Sequence, residues 1–131
     1  MTEQDNVALI RRGFEAFNRA DVTTLSSIIA ESAVQHMPGD NRFAGDHRGR
    51  DDILSMYGQM GELSNGTFGA DLVDATADGP DRVIARYAAR GARDGKTLTG
   101  SHQLVFTIKD GAIVDLVDTP DDMSIWDQFW A

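Results

Sequence analysis

The chain has 131 residues, a formal net charge of −9 and no cysteine. One domain of this length buries enough surface for a core without staples, and disulfides, thiolate nucleophiles and Cys-ligated metals are excluded. An excess of negative charge repels phosphate backbones and anionic membranes, so neither is expected as a partner.

The opening residues MTEQDNVALIRR contain no apolar signal-peptide core, and no apolar run approaches the ~20 residues of a membrane span. A cytoplasmic protein is the expectation. Val7, Ile10, Phe14 and Phe17 recur at three- and four-residue intervals and predict a first helix. Asp21 is placed to cap a second helix, Val22 to Ala30, carrying Leu25, Ile28 and Ile29. Ala33 to Met37 reads as a strand stopped by Pro38-Gly39, followed by a charged, Gly-rich loop. A third helix is predicted from Asp51 to Leu63, with Ile53, Met56, Tyr57, Met60 and Leu63 on one stripe.

The second half alternates with period two. Strands are expected over 67–77, 82–92, 97–109 and 112–118, with hairpin signals at Asp94-Gly95 and Asp110-Gly111. Thr119-Pro120-Asp121-Asp122 reads as a helix start, with Thr119 as cap and Pro120 in the first turn. Met123, Ile125, Trp126, Phe129 and Trp130 follow it. Helices first and a strand meander after predict an α+β domain spanning 1–131.

Alternation also assigns faces. Leu98, Gly100, His102, Leu104, Phe106 and Ile108 share one side of their strand, so His102 points into the core. Tyr87 points inward opposite Arg86 and Arg90, and Asp118 shares a face with Val114 and Leu116 at the rim of the same interior. A buried neutral imidazole is able to act as a general base near neutral pH. His36, at the end of the first strand, and Tyr57, on the inner stripe of the third helix, are the other candidates. No HxH, HxxxH or HExxH spacing, no GxGxxG, no phosphate loop and no GxSxG is present, so no metal or cofactor is expected.

The order Gly13-Phe14-Glu15-Ala16-Phe17-Asn18-Arg19-Ala20-Asp21, a short helix, Val34-Gln35-His36-Met37-Pro38, and Gly49-Arg50-Asp51-Asp52 opening another helix resembles the front half of a SnoaL-like protein. That family lies in the NTF2-like, ketosteroid-isomerase-like superfamily. The resemblance implies a cone: three N-terminal helices packed against a curved antiparallel β-sheet around an internal pocket. It also implies a homodimer paired through the outer sheet face near Ala88, Thr99, Ser101, Gln103, Val105 and Thr107, with Trp126 and Trp130 adding aromatic surface.

The function implied is a small-molecule pocket protein: a cofactor-free isomerase, cyclase or hydratase acting on a hydrophobic carbonyl or polycyclic compound. The alternative is a non-catalytic NTF2-like domain for ligand binding or dimerisation. His102, His36, Asp118 and Tyr57 are the expected catalytic groups. Phe17, Met37, Met56, Tyr87, Leu104, Leu116 and Trp126 are the expected ligand-lining groups. Ketosteroid isomerases need an Asp base and an oxyanion-binding Tyr and protonated Asp. The matching positions here hold Met37, Gly13 and the neighbourhood of Leu104, so steroid isomerisation by that route is not expected.

Overall fold

The computed structural model describes residues 2–131. Helix α1 (Glu3–Asn18) begins with a capping box, in which Thr2 and Asp5 satisfy each other's backbone N–H. Its inner stripe is Leu9, Ile10, Phe14 and Ala16, with Val7 and Phe17 partly buried. At its end, Asn18 donates to the Ala70 carbonyl and accepts from the Ala70 N–H, both at 2.9 Å. That double bond fastens the helix to strand β3 and hangs Phe14 and Phe17 over the sheet.

Helix α2 (Val22–Ile28) is capped by Asp21 as expected. Strand β1 (Ile29–Met37) starts directly after it, four residues earlier than the sequence suggested. A four-residue strand, β2 (Gly45–Arg48), lies in what reads as loop. Helix α3 (Arg50–Leu63) follows. Strands β3 (Gly69–Ala77), β4 (Arg82–Arg93), β5 (Lys96–Lys109) and β6 (Ala112–Pro120) complete the sheet, and α4 (Met123–Phe129) closes the chain. Asp94-Gly95 and Asp110-Gly111 all have positive φ, as tight hairpin turns require.

The sheet is curved, open and six-stranded, in the order β2-β1-β6-β5-β4-β3. It is mixed: β1 and β6 pair in parallel, and all other pairs are antiparallel. The β3–β6 meander is antiparallel throughout, and the sheet departs from the expected antiparallel one only where β1 joins β6. The described residues form four helices, the three N-terminal ones and α4. Among the described residues no helix is long and apolar enough to cross a membrane.

Three further expectations are corrected. Strand β6 runs through Pro120, and α4 is capped by Asp122, whose side chain accepts from the N–H groups of Ser124 and Ile125. A bulge between Thr107 and Ile108 shifts the β5–β6 register, so Ile113, not Val114, is buried beside Leu116. Trp126 and Trp130 offer no surface to a partner, being 1% and 0% exposed within the chain.

The turn after β1 is held from α4. Asp127 Oδ1 accepts from the Asp40 N–H (2.9 Å) and from Asn41 Nδ2 (2.8 Å). Gly39 has φ +90° there, and a Cβ on it would collide with Asp127 Oδ1. Gly39→Ala is therefore expected to cost about 1–3 kcal/mol through combined backbone strain and collision. Urea melts measure it; a cost below ~0.5 kcal/mol would show that the turn relaxes freely.

Candidate functional site

Helices α1, α2 and α3, the inner sheet face and Trp126 of α4 line a partly open cavity of about 70 Å³. Its wall is almost wholly apolar. Ile10, Gly13, Phe14 and Phe17 come from α1, and Leu25 and Ile28 from α2. Leu104, Phe106, Ile113 and Leu116 come from the sheet, and Met60 from α3. The wall residues that carry polar side-chain atoms are Gln35, Tyr57, Tyr87 and Trp126.

Two hydrogen-bonded units supply those atoms. In the first, the Tyr57 hydroxyl donates to Gln35 Oε1 at 2.5 Å, and Gln35 Nε2 contacts Met37 Sδ at 3.4 Å. In the second, the Tyr87 hydroxyl donates to Asp118 Oδ1 at 2.8 Å. His102 Nδ1 lies 3.2 Å and 3.3 Å from the two Asp118 oxygens. An ionised carboxylate only accepts, so the Nδ1–H of His102 donates to Asp118.

The second unit is assembled by register. Tyr87 stands opposite His102 across β4–β5, and Asp118 stands opposite Leu104 across β5–β6, one inner-face step from His102. The Tyr87 and His102 rings stack at 4.9 Å, and Trp126 meets His102 edge-on at 4.7 Å. His102 and Asp118 are 1% and 4% exposed. Burial raises both tyrosine hydroxyls above their ordinary range, and the Asp118 charge adds to it. Both phenols therefore hold their protons at neutral pH.

Of the residues singled out in the sequence, Phe17, Tyr57, Tyr87, Leu104, Leu116 and Trp126 lie on the cavity wall. His102 faces inward as its strand alternation requires, but it stands one layer back, between Tyr87 and Trp126, and is not part of the wall. Met37 and Met56 are buried without lining the cavity; Met60, one turn on from Met56, takes that place. Gln35 was missed, although it shares its strand face with Ala33 and Met37.

His36 is corrected outright: it lies on the opposite strand face from Gln35, away from the cavity. Its Nδ1 meets Asp46 of β2 at 2.7 Å and its Nε2 meets Asp115 of β6 at 2.8 Å. His47 Nε2 is bonded to the Phe43 carbonyl at 2.7 Å.

The bonds to Asp115 and then Asp46 raise the His36 pKa, because a protonated imidazole can donate to both carboxylates and a neutral one to only one. A raised folded-state pKa stabilises the fold below the unfolded value of about 6.5, and that gain is lost as pH rises through the folded value. The three side chains are more than a third exposed, so each pair is worth about 0.2–1 kcal/mol. His36→Gln should thus destabilise more at pH 6 than at pH 9, with the gap shrinking in salt. Equal costs at both pH values in paired urea melts would remove the charged clamp.

Comparison with known proteins agrees with this geometry. Residues 10–116 match the family model of the SnoaL-like domain. An uncharacterised protein of Mycobacterium tuberculosis is 32% identical over 131 residues, all of both chains. Among solved structures, Bal32a from a soil-derived mobile gene cassette superposes with a TM-score of 0.96 at 37% identity, covering 98% of each chain. IdmH from Streptomyces antibioticus, for which polyketide cyclase is a provisional assignment, superposes with a TM-score of 0.75 at 26% identity, over 92% of this chain and 95% of that one. With the model matched across most of its length and a full-length relative above 30% identity, the chain belongs to the SnoaL-like domain family and has its NTF2-like fold.

Proposed function

We propose that this protein binds a small hydrophobic molecule in its cavity and performs cofactor-free acid–base chemistry on it, as an isomerase, cyclase or hydratase. The observation that carries this reading is Tyr87: it stands on the cavity wall with its hydroxyl 2.8 Å from buried Asp118. An acidic proton on the carbon beside a bound carbonyl passes to Tyr87 Oη while the Tyr87 proton passes to Asp118, and the C–H electron pair is left in the enolate. His102 Nδ1–H keeps Asp118 oriented, and the return transfer restores the site. Proton transfer by positioned groups of this kind contributes typically 10²–10⁴-fold. The fold likeness to IdmH supports a carbonyl substrate class.

Deuterium uptake tests it. Single-ring ketones with acidic C–H bonds, incubated with the protein in D2O and followed by proton NMR, should exchange faster than in buffer. Tyr87→Phe and Asp118→Asn should each lose most of that excess. No excess with the wild type, or an excess untouched by both changes, would overturn the catalytic reading.

One observation favours a second reading, a ligand-binding domain without turnover. His102 is enclosed by Tyr87 and Trp126 and does not reach the wall. In that case Tyr87→Phe changes affinity while exchange never exceeds buffer. For either role we propose a cytoplasmic homodimer formed through the outer sheet face, where Ile84, Ala88 and Val105 are half-buried and Val117 is 39% exposed. Light scattering should give twice the 14.3 kDa chain mass.

A further inference from the structure

A cavity walled by buried side chains has to be entered somewhere, and exposure shows where. Of the described wall residues, Gly13, Phe17, Tyr57 and Phe68 are partly exposed and the others are buried. The four belong together. Gly13 lies one helical turn before Phe17 on α1, and the Phe17 ring meets Tyr57 edge-on at 5.0 Å and Phe68 edge-on at 5.8 Å. The mouth of the cavity is therefore bounded by the end of α1, the middle of α3 and the chain leading into β3, and Phe17 spans it.

The three rings are not held alike. Tyr57 is tied by its hydroxyl to Gln35. Phe68 packs on Trp126 at 5.9 Å and on Trp130 at 5.3 Å, and its N–H donates to Ser64 Oγ at 3.0 Å. Phe17 has ring contacts with Tyr57 and Phe68 and no polar anchor of its own. The backbone beneath it is fixed, because Asn18 makes both of its bonds to Ala70 of β3. Motion at the mouth is thereby left to the Phe17 side chain. A helical phenylalanine has essentially two χ1 positions, both leaning back over the preceding turn. The residue one turn back is Gly13, which puts no side chain in the way. Even a Cβ there would stand 3.3 Å from Ile28 Cδ1. Glycine inside a helix is otherwise unfavourable relative to alanine.

We propose that the Phe17 ring is the gate of the cavity: it closes the gap between Tyr57 and Phe68 and admits small molecules when it turns back over Gly13. The use of such a gate rests on the ligand-binding role proposed above for the same cavity, whereas its existence does not. Entry and exit are then set by one side-chain switch, with helices and sheet staying in place, and Phe17 controls access to Tyr87 and Asp118 from a position remote from both in the chain.

The chain has no cysteine, so one engineered thiol reports access without any ligand. Leu116→Cys places it on the cavity wall, and Leu98→Cys places it in the core away from the wall; the two leucines are 2% and 1% exposed. Modification by methyl methanethiosulfonate, a small neutral reagent, is followed by mass spectrometry. The Leu98→Cys thiol is reached only when the protein unfolds, so it reads any change in stability. Phe17→Ala should speed modification of the wall thiol about tenfold more than that of the core thiol. Phe17→Leu keeps most of the bulk and guards against a variant that does not fold; it should favour the wall thiol in the same way, by about threefold. Leu25→Ala, on the α2 side of the wall at a residue 6% exposed, should speed both thiols alike. Equal acceleration of the two thiols by the Phe17 variants overturns the gate, as does Leu25→Ala matching Phe17→Ala at the wall thiol. Either result leaves the ligand-binding role standing, and a cavity that binds nothing leaves the thiol result as it is.

Discussion

Asp118→Ala should destabilise the protein by about 3–5 kcal/mol. Asp118 is 4% exposed and accepts from two buried groups: the Tyr87 hydroxyl at 2.8 Å and His102 Nδ1 at 3.2 Å. Deleting the carboxylate leaves both donors buried and unpaired, each at about 1–3 kcal/mol. Against a total stability of roughly 5–15 kcal/mol this is a severe loss. The isosteric Asp118→Asn keeps one acceptor oxygen and should cost less, although its amide then faces a donor. Tyr87→Phe removes one of the stranded groups. In the double variant with Asp118→Ala the two costs should therefore sum to less than their separate values, with a coupling of at least about 1 kcal/mol. Urea unfolding of the four proteins measures this. Asp118→Ala within 1 kcal/mol of wild type, or strict additivity, would mean that the Tyr87–Asp118–His102 unit does not hold.

That unit also shows where sequence reading succeeds. Alternation on β4 and β5 placed Tyr87 and His102 on the inner face, because Arg86 and Arg90 on one strand and Leu104 and Phe106 on the other leave a single choice. What alternation does not carry is distance. Asp118 meets His102 only through the β5–β6 register, and that register is set by a bulge at Thr107/Ile108 with no distinctive residue to announce it. The same bulge turned Val114 out and Ile113 in.

His36 failed for a different reason. Period two forbids adjacent residues from sharing a face, so His36 and Met37 could not both look into one pocket. The face holding Ala33 and Met37 made Gln35 the inward polar group. The strand that receives His36 from outside, Gly45-Asp46-His47-Arg48, is too short and too polar to read as a strand. Its place at the sheet edge is fixed by pairing with β1 rather than by its own burial. At Thr119-Pro120-Asp121-Asp122 two caps competed. Pro120 can end a strand, and Asp122 satisfies two N–H groups of α4, so the later cap prevails. The helices were the most legible part, since their stripes bury large side chains that nothing else could cover.

Trp126→Ala should cost a similar 3–5 kcal/mol, the usual range for removing a buried tryptophan. The ring is 1% exposed and touches Phe68, His102 and Trp130 with centroids 4.7–6.0 Å away. It is also the partition between the cavity and the His102 niche, since it lines the first and covers the second. Its loss joins the two spaces and opens a route for water to Asp118, so ligand retention should fall with stability. Trp126→Phe separates the ring from its N–H. Nε1 is buried without a partner among the described residues, so phenylalanine forfeits area but also removes an unsatisfied donor. Its cost should stay below about 1.5 kcal/mol. Paired urea melts of the two variants and the wild type measure both costs. A phenylalanine variant as unstable as the alanine one would mean that the indole N–H already has a partner in the resting protein.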